Sequence, residues 1–441
     1  MNINFTTPQC KIKPMHAINN APMFWTYCDT FHYLTEAGIP YARLHDTGGL
    51  MGGGIFVDVA NIFPLFHADP EDPANYEFGF TDHLLRELCA AGVKPFYRLG
   101  CTIENYHPSI GGRRSIPPAD PHKWAVICEH IIRHYNEGWA DGYHMDIEYW
   151  EIWNEPDNEP VAAENPMWKG TMEEFFTLYE VTARHLKARY PHLKIGGYAS
   201  CGFYSILNKG VAAHANVSER FDYFVEFFEK FLAYITTDGH KAPLDFFSWH
   251  SYAGAQDNVA FAAYAREMLD KHGFTETESI LNEWNPGTHR RGTLADAAYI
   301  GSMMVAMQNA PVDLLMYYDG SMESSYGGIF NPLTRTPFKA YHAFRGFHEL
   351  YKLGTQYPIE GATPDGQIGA GVYALAAGDA TAEHRAVLLF NTGDTAPLAA
   401  PDGEWEVYFL DGGHDLEPVG KARGGEPLSV PAEGGMMLKS V

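Results

Sequence analysis

The chain is poor in cysteine, in long apolar runs and in basic residues, and each shortage excludes a class of protein. Its six cysteines are scattered over 441 residues without a C-x-x-C pair, so neither a disulfide framework nor a cysteine-based zinc site is expected. No apolar run reaches the roughly 20 residues of a membrane span. The 31 basic residues face 55 acidic ones, giving a formal net charge of -24, which argues against nucleic acid or an anionic membrane as the main partner.

The first twenty residues, MNINFTTPQCKIKPMHAINN, contain neither a continuous apolar segment nor a small-residue cleavage pattern. A secretory signal would need both features, so a cytoplasmic location is predicted. The sequence does not indicate an oligomeric state.

Short β-rich segments alternate with longer segments of helical periodicity along most of the chain. One helix places Leu84, Leu85 and Leu88 on a single face, ends near Gly92 and is followed by the strand segment VKPFYRLG. Eight such units predict an α/β fold, a (β/α)8 TIM barrel over residues 15–345.

The alternation of strand and helix segments ends near residue 346. Gly, Pro, Asp and Ala now separate short strand segments such as RAVLLFN and EWEVYFLDGG. This pattern predicts a small antiparallel, sandwich-like β-domain over residues 346–441. Residues 1–14 are a candidate additional strand of that domain.

Polar side chains concentrate where the predicted barrel strands end. The carboxyl ends of barrel strands form the face on which TIM-barrel active sites are built. We therefore expect the following residues to surround one site: Arg43, His45, Asp46, Arg98, Asn105, Asn154, Glu155, His250, Tyr252, Asn282, Glu283, Asn285, Tyr318 and Asp319. Bracing of the loop is the alternative role for His45 and Asp46, but their position favours binding of substrate hydroxyl groups.

Two glutamates stand out, Glu155 in WNEP and Glu283 in NEWN, because they close the predicted fourth and seventh strands. A barrel places such positions on opposite walls of one pocket, and two carboxyl groups about 5 Å apart suit retaining glycoside hydrolysis. Glu155 would then donate a proton to the leaving oxygen, with Glu283 as its partner. For that role, partial burial and the nearby Glu283 carboxylate are expected to raise the pKa of Glu155.

Other side chains near these glutamates have competing interpretations. The aromatic ones are candidates either for stacking on sugar rings or for the core; they are Trp153, Trp249, Trp284 and Tyr318. Glu151 lies on the same strand face as Glu155 but one layer deeper. A buried carboxylate needs a partner, so Glu151 is predicted to pair with Arg43 or Arg98 inside the barrel.

The segments EIWNEPD, SWHSY and LNEWN at these strand ends resemble glycoside hydrolase family 39. This family belongs to the clan of retaining (β/α)8 glycosidases, clan A, and includes β-xylosidases and α-L-iduronidases. The resemblance implies that Glu155 is the acid/base and Glu283 the nucleophile, and that no metal and no organic cofactor take part. It also implies that Asn154 binds the sugar 2-hydroxyl and that His250 and Tyr252 lie near the nucleophile.

The resulting prediction is an exo-acting, β-xylosidase-like enzyme that cleaves xylose- or arabinose-type glycosides by double displacement. Within the family, an α-L-arabinofuranosidase or a disaccharide-releasing glycosidase remains the alternative. A non-catalytic carbohydrate-binding protein would keep the pocket without turnover, and the presence of both glutamates argues against it. A metal-dependent barrel hydrolase is a further alternative, which the histidine spacing does not favour, since neither H-x-H nor H-E-x-x-H occurs.

Overall fold

The computed structural model describes residues 1–22, 24–25, 28–46, 57–103, 105–107, 112–207, 218–322 and 326–441. Eight parallel strands form a closed barrel in the order in which they occur along the chain. The strands are Ala17–Asn19, Tyr41–Leu44, Lys94–Leu99, Tyr149–Ile152, Lys194–Ser200, Phe246–His250, Glu278–Trp284 and Leu314–Tyr317. The predicted TIM barrel is therefore confirmed.

Helices follow the strands and surround the barrel. In chain order they are His32–Ala37, Val59–Ile62, Gly79–Ala90, Pro121–Glu137, Met172–Arg189, Ser218–Thr236, Ala255–Lys271, Leu294–Asn309 and Lys339–Leu353. Shorter 3₁₀ turns cover Pro73–Asn75, Tyr204–Leu207 and Thr288–Arg290. Among the described residues, none of the helices combines the length and hydropathy needed to cross a membrane.

Local sequence signals set the ends of these helices. Asp120 accepts hydrogen bonds from two amide groups of the helix that follows, and Gly138 ends that helix with a left-handed φ of 75°. Thr171 and Glu174 form a reciprocal capping box at the start of Met172–Arg189. Such caps satisfy amide groups that the first turn of a helix leaves without partners.

An antiparallel sheet follows the barrel, as predicted. Its strands are Thr355–Tyr357, Gln367–Gly369, Val372–Gly378, Arg385–Asn391, Glu404–Leu410, Asp415–Arg423 and Gly435–Ser440. The N-terminal strand Cys10–Lys11 joins the same sheet by pairing with Thr355–Tyr357. Further short strands form three separate ribbons, namely Ala396–Ala399 with Pro427–Val430, Phe24–Trp25 with Cys28–Asp29, and Tyr106–His107 with Gly112–Arg113.

One face of this sheet shares the main hydrophobic core with the barrel helices. Leu388 and Phe390 belong to that core, whereas the alternate residues Val387 and Leu389 belong to a second core on the other face. The contact with Leu294–Asn309 is close, because a β-carbon at Gly301 would lie only 2.3 Å from the Phe390 ring. A side chain at position 301 would push the helix and the sheet apart.

Inside the barrel, an apolar layer supports a polar one. The apolar layer is formed by Ala17, Phe96, Tyr149, Phe246, Ile280, Leu314 and Met316. Two residues further along their strands, Arg98, Glu151 and Asn282 lie buried, because side chains alternate between the two faces of a strand. Arg43 Nε donates to Glu151 Oε2 at 2.7 Å. Of the two partners predicted for Glu151, the structure therefore shows Arg43. Arg98 pairs instead with Asp58, at 2.6 Å.

Candidate active site

Glu155 lies three residues beyond the fourth barrel strand, on a backbone with unusual torsion angles. Trp153 and Glu155 have φ values of 73° and 45°, in the left-handed region that is unfavourable for residues other than glycine. Hydrogen bonds to neighbouring strands hold this conformation: Trp153 N donates to Leu99 O at 2.7 Å and Glu155 N to Ala199 O at 3.0 Å. The side chain of Glu155 is left 12% exposed.

Glu283 belongs to the seventh barrel strand and is 7% exposed. The register of that strand shifts against both neighbours close to this residue, as at the irregularities that re-aim side chains beside active sites. One carboxylate oxygen of Glu155, one of Glu283 and a ring nitrogen of His250 all lie within 4.8 Å of one another. The two glutamates singled out from the sequence therefore meet across a single site.

The ring of His250 lies between the two carboxylates. Its Nδ1 is 2.8 Å from Glu155 Oε1 and 3.5 Å from Glu283 Oε2. Since both neighbours accept hydrogen bonds when ionised, Nδ1 is the nitrogen that carries the proton. The buried Nε2 has no hydrogen-bond partner among the described residues.

Glu283 receives two further donors. The Tyr252 hydroxyl donates to Glu283 Oε1, and Arg43 Nη1 lies 3.4 Å from Glu283 Oε2. The fully buried Arg43 also donates to Asn154 Oδ1, at 2.5 Å. The structure thus brings Asn154 and Tyr252 to the glutamates, as the sequence led us to expect, and connects Asn154 to Glu283 through one guanidinium group.

The direction of the pKa shifts differs from the expectation for Glu155. Burial alone would raise the pKa of Glu155, but the hydrogen bond and electrostatic interaction with His250 and the hydrogen bond from Asn158 together lower it. Burial raises the pKa of Glu283 and outweighs the opposing effect of His250, while the Glu155 charge adds to the increase. The expected raised pKa of Glu155 is therefore wrong for this arrangement, because two donors stabilise its ionised form.

A second polar wall lies across the site at the second and eighth strands. Tyr318 donates its hydroxyl proton to Asp46 Oδ2 at 2.6 Å, and Thr102 also donates to Asp46. His45 Nε2 is 3.2 Å from Asp46 Oδ1. Burial, together with the charges of the neighbouring arginines, holds the pKa of His45 well below its usual range, so His45 is neutral and braces Asp46.

Asp319 and Tyr326 complete this side of the site. Asp319 is 3% exposed and accepts a hydrogen bond from Asn20 at 3.2 Å. The ring of Tyr326 contacts Tyr252 edge-on at 5.2 Å and lies 6.0 Å from Tyr318. Tyr326 is 46% exposed, and sequence reasoning missed it. The only signal was its place in the segment that follows the last barrel strand.

Three tryptophans near the two glutamates are core residues. Trp284 is 1% exposed and packs edge-on against Tyr317 at 5.3 Å, because its position next to Glu283 in the strand points it toward the surrounding helices. Trp153 and Trp249 are also buried and donate their indole protons to Met167 O and Ser279 Oγ. Of the two roles open for these tryptophans, the structure therefore favours the core, and it gives no support to the substrate contact expected of Trp284.

Asn105 is likewise not a substrate ligand. Its side chain is buried, and its amide donates to the carbonyl groups of Thr102 and Pro166, at 2.8 and 3.1 Å. The carbonyl end of the same amide accepts a hydrogen bond from Arg114 N. Asn105 follows a strand end in sequence, but the hydrogen bonds of its side chain stabilise the surrounding loops.

Two residues that interact with Glu155, one by a hydrogen bond and one by charge, were not singled out from the sequence. Asn158 donates its amide proton to Glu155 Oε2 at 2.7 Å. Asp157 is fully buried next to it and accepts a hydrogen bond from Ser200 Oγ at 2.7 Å. Burial raises the pKa of Asp157 to about 7, against the hydrogen bond from Ser200 and with the help of the Glu155 charge.

Glu155, His250 and Glu283 also form a group that could hold a metal ion by the positions of their ligand atoms. The surrounding donors oppose this use. Arg43 and Tyr252 already direct positive charge and a hydroxyl proton at Glu283, so a cation there would meet a like charge at close range. The geometry suits proton transfer and nucleophilic attack better than metal binding.

The family model for glycosyl hydrolases family 39 matches residues 13–350, which include the whole barrel. A β-xylosidase of Geobacillus stearothermophilus is 27% identical over 233 residues, which is 50% of this chain and 39% of that protein. A β-xylosidase of Caldicellulosiruptor saccharolyticus is 25% identical over 368 residues, or 75% of this chain and 66% of that protein. The chain thus spans less than two thirds of the length of each of these two relatives.

Solved structures share the fold over nearly the full chain. A glucosidase from Croceicoccus marinus superposes with a TM-score of 0.76 at 22% identity, covering 99% of this chain and 98% of that one. A monomeric β-xylosidase from Caulobacter crescentus gives a TM-score of 0.68 at 15% identity, with the same coverage. On the extent of the family match, which runs through both central glutamates, the chain belongs to glycosyl hydrolase family 39.

Proposed function

We propose that this chain is a retaining glycoside hydrolase in which Glu283 is the nucleophile and Glu155 the acid/base. The observation that carries the proposal is the approach of the two carboxylates to within 4.8 Å across the open end of the barrel. Retaining enzymes hold the two groups about 5–5.5 Å apart, whereas inverting enzymes keep about 6.5–9.5 Å to admit a water molecule.

In the first step, an oxygen of Glu283 attacks the anomeric carbon and forms a covalent bond to it. The bond from that carbon to the glycosidic oxygen breaks, and the leaving oxygen takes the proton of Glu155. Arg43 and Tyr252, which already contact Glu283, orient the nucleophile and favour its ionised form against the effect of burial. The step requires the proton of the coupled pair to reside on Glu155 when the substrate is bound.

In the second step, a water molecule replaces the leaving group. Glu155, now ionised, takes a proton from the water as the water oxygen bonds to the anomeric carbon and the bond to Glu283 breaks. The sugar leaves with its original anomeric configuration, and Glu155 is protonated again. The hydrogen bonds from His250 and Asn158 support Glu155 in the ionised state that this step uses.

Substrate hydroxyl groups find donors and acceptors around the two glutamates. Arg43 occupies the carbonyl end of the Asn154 amide, so the donor end remains available to the sugar 2-hydroxyl. Asp46, held by Tyr318, and Asp319 are the proposed acceptors for hydroxyl groups further around the ring. Tyr326, exposed beside Tyr252, is the proposed aromatic contact of the sugar.

For the substrate we propose a β-xyloside cleaved from the end of an oligosaccharide. Support comes from the two β-xylosidases with which the chain aligns. A β-glucoside is the second candidate, favoured by the full-length likeness in fold to a glucosidase. Two further alternatives keep the same retaining reaction and change only the sugar that is released: hydrolysis of an α-L-arabinofuranoside, or release of a disaccharide.

The proposal is tested with a panel of aryl β-xylosides, β-glucosides and α-L-arabinofuranosides whose leaving groups differ in acidity. Replacing Glu283 by alanine should reduce kcat/KM by about 10⁴-fold or more on every substrate, because the nucleophile is lost. Glu155→Gln should cost about 10²–10⁴-fold on poor leaving groups and much less on good ones, since only poor ones need the proton.

Proton NMR of the first product supplies the independent check. Retention of the anomeric configuration is expected, and inversion would rule out the proposed roles. A chelator should leave activity unchanged; loss of activity that a divalent cation restores would favour the metal-dependent hydrolase instead. Binding of oligosaccharide without turnover on any substrate would make the chain a carbohydrate-binding protein.

A further inference from the structure

The second oxygen of Glu155 has a partner of its own. His250 contacts Oε1, while Asn158 Nδ2 donates to Oε2 at 2.7 Å. Asn158 is 7% exposed, and its backbone N–H donates to the Glu155 carbonyl at 3.1 Å. The two residues are therefore joined through both main chain and side chain, and the Glu155 carboxylate is held at each of its oxygens.

A residue from a different element fixes the Asn158 amide. Arg220, on the helix Ser218–Thr236, donates from Nη2 to Asn158 Oδ1 at 3.0 Å and from Nε to Asn158 O at 2.6 Å. A guanidinium group has donors only, so the carbonyl end of the amide must face Arg220. The donor end of Asn158 is then directed to Glu155, and the opposite orientation would set donor against donor and acceptor against acceptor.

We propose that Asn158 is a positioning residue for the acid/base Glu155 and that Arg220 determines which end of the Asn158 amide Glu155 meets. This inference rests on the proposed function, in which Glu155 gives and takes the proton. By donating to the ionised carboxylate, Asn158 makes Glu155 a stronger acid toward the leaving oxygen. Arg220 adds a positive charge that acts in the same direction.

Other groups around Glu155 also affect its ionisation, and they are the same in proteins that differ only at Asn158. The charged or titratable ones that interact with it from each neighbouring element are Asp157, Cys201, Tyr204, Arg220, His250, Glu283 and Tyr326. Glu283 is the strongest complication, because its proton is coupled to that of Glu155. A background in which Glu283 is replaced by glutamine removes this coupling and leaves one glutamate to titrate at the site.

The experiment is a ¹³C NMR titration of the Glu155 carboxyl carbon in the Glu283→Gln protein, with and without Asn158→Ala. Loss of the amide donor should raise the pKa of Glu155 by about one unit, since a donor to a charged group is lost and water replaces it only in part. Asn158→Asp, which has nearly the same shape, should raise it further because a like charge then faces Glu155.

Asn165→Ala is the matched control. Asn165 is buried in the same loop and donates to the carbonyl groups of Pro156 and Glu159, and Glu155 is not among the partners of these hydrogen bonds. The Asn165→Ala substitution should loosen the loop without changing the pKa of Glu155. An equal shift in the control and in Asn158→Ala, or no shift in either Asn158 variant, would overturn the proposal.

Activity gives the second readout in the protein that retains Glu283. With Asn158→Ala, the basic limb of the kcat/KM profile should move to higher pH, and kcat should fall more on poor leaving groups than on good ones. Arg220→Lys keeps the charge but not the paired contact, so a smaller shift in the same direction is expected. If Glu155→Gln fails the leaving-group test while the NMR shift is observed, the proposed function fails and the contact between Asn158 and Glu155 stands.

Discussion

The two ends of the barrel pair their charges in different surroundings. At the end where strands begin, Lys194 contacts Glu278 at 2.7 Å and Glu148 at 3.0 Å, and these three side chains are 27–37% exposed. At the end where strands finish, Arg43 contacts Glu151 at 2.7 Å, and both are 0% exposed. The distances are similar, but only the Arg43–Glu151 pair is fully desolvated. Only at that end does each hydrogen bond strongly affect the stability of the charged form.

The difference also has a chemical consequence. Water around the Lys194 cluster can replace a missing partner, so that cluster has little influence on anything beyond itself. Arg43 instead distributes one guanidinium group over Glu151, Asn154 and Glu283. A change at Glu151 or Asn154 is therefore expected to alter the position of Arg43 and, through it, the environment of Glu283.

Replacing Arg43 by methionine should have the largest effect on stability. The change leaves the buried carboxyl group of Glu151 without its partner, which costs about 3–5 kcal/mol of unfolding free energy. Urea denaturation measures it, and kcat should fall as well because Glu283 and Asn154 lose their shared donor. Restoring much of the stability by adding Glu151→Gln would confirm that the unpaired charge is the cause.

An intermediate effect is expected from Asp157, through pH. Its folded pKa of about 7 lies above the ordinary value near 4, so between these pH values the folded state binds more protons than the unfolded state. The free energy of unfolding should therefore fall as pH rises from about 4 to 7, by about 2–4 kcal/mol from this group. Above pH 7 this contribution should stay constant.

Asp157→Asn removes that titration while other groups remain in place. The difference in unfolding free energy between the wild type and the variant should then change over pH 4 to 7 in favour of the variant. A difference that is flat with pH would mean that Asp157 stays ionised in the folded protein throughout.

The smallest effect is expected at the opposite end, from Lys194→Met. Its partners are partly exposed, so about 1 kcal/mol or less should be lost, and kcat should not change. The same urea denaturation experiment measures it. A loss as large as that of Arg43→Met would erase the contrast between the two ends.

Much of this architecture could be predicted from the sequence, for identifiable reasons. Strand and helix periodicities repeat along the chain, so the barrel and the strand ends carrying Glu155 and Glu283 followed directly. Burial of charge predicted that Glu151 pairs with Arg43 or Arg98, and only the structure shows that the partner is Arg43. Trp284 was a candidate for the site because it follows Glu283, but adjacent strand residues point in opposite directions, and the structure places Trp284 in the core.

Other features depend on contacts that no local pattern encodes. Arg220 lies far from Asn158 in sequence and reaches it only through the placement of a helix. The direction of the Glu155 pKa shift depends on which donors reach its two oxygens, and the sequence showed only that the residue would be partly buried. Asn105 follows a predicted strand end, as do the residues around Glu155 and Glu283, yet its amide donates to the carbonyl group of Thr102 in its own loop.

The N-terminal residues pair with strands that the ribosome makes much later. Ile3 bridges to Ile359, and Cys10 and Lys11 face Gln356 and Thr355 in the antiparallel sheet. Because chains emerge from the amino end first, this edge of the sheet has to wait until the whole barrel has been synthesised. Residues 3–11 are thus expected to take their place only after all the barrel strands are available.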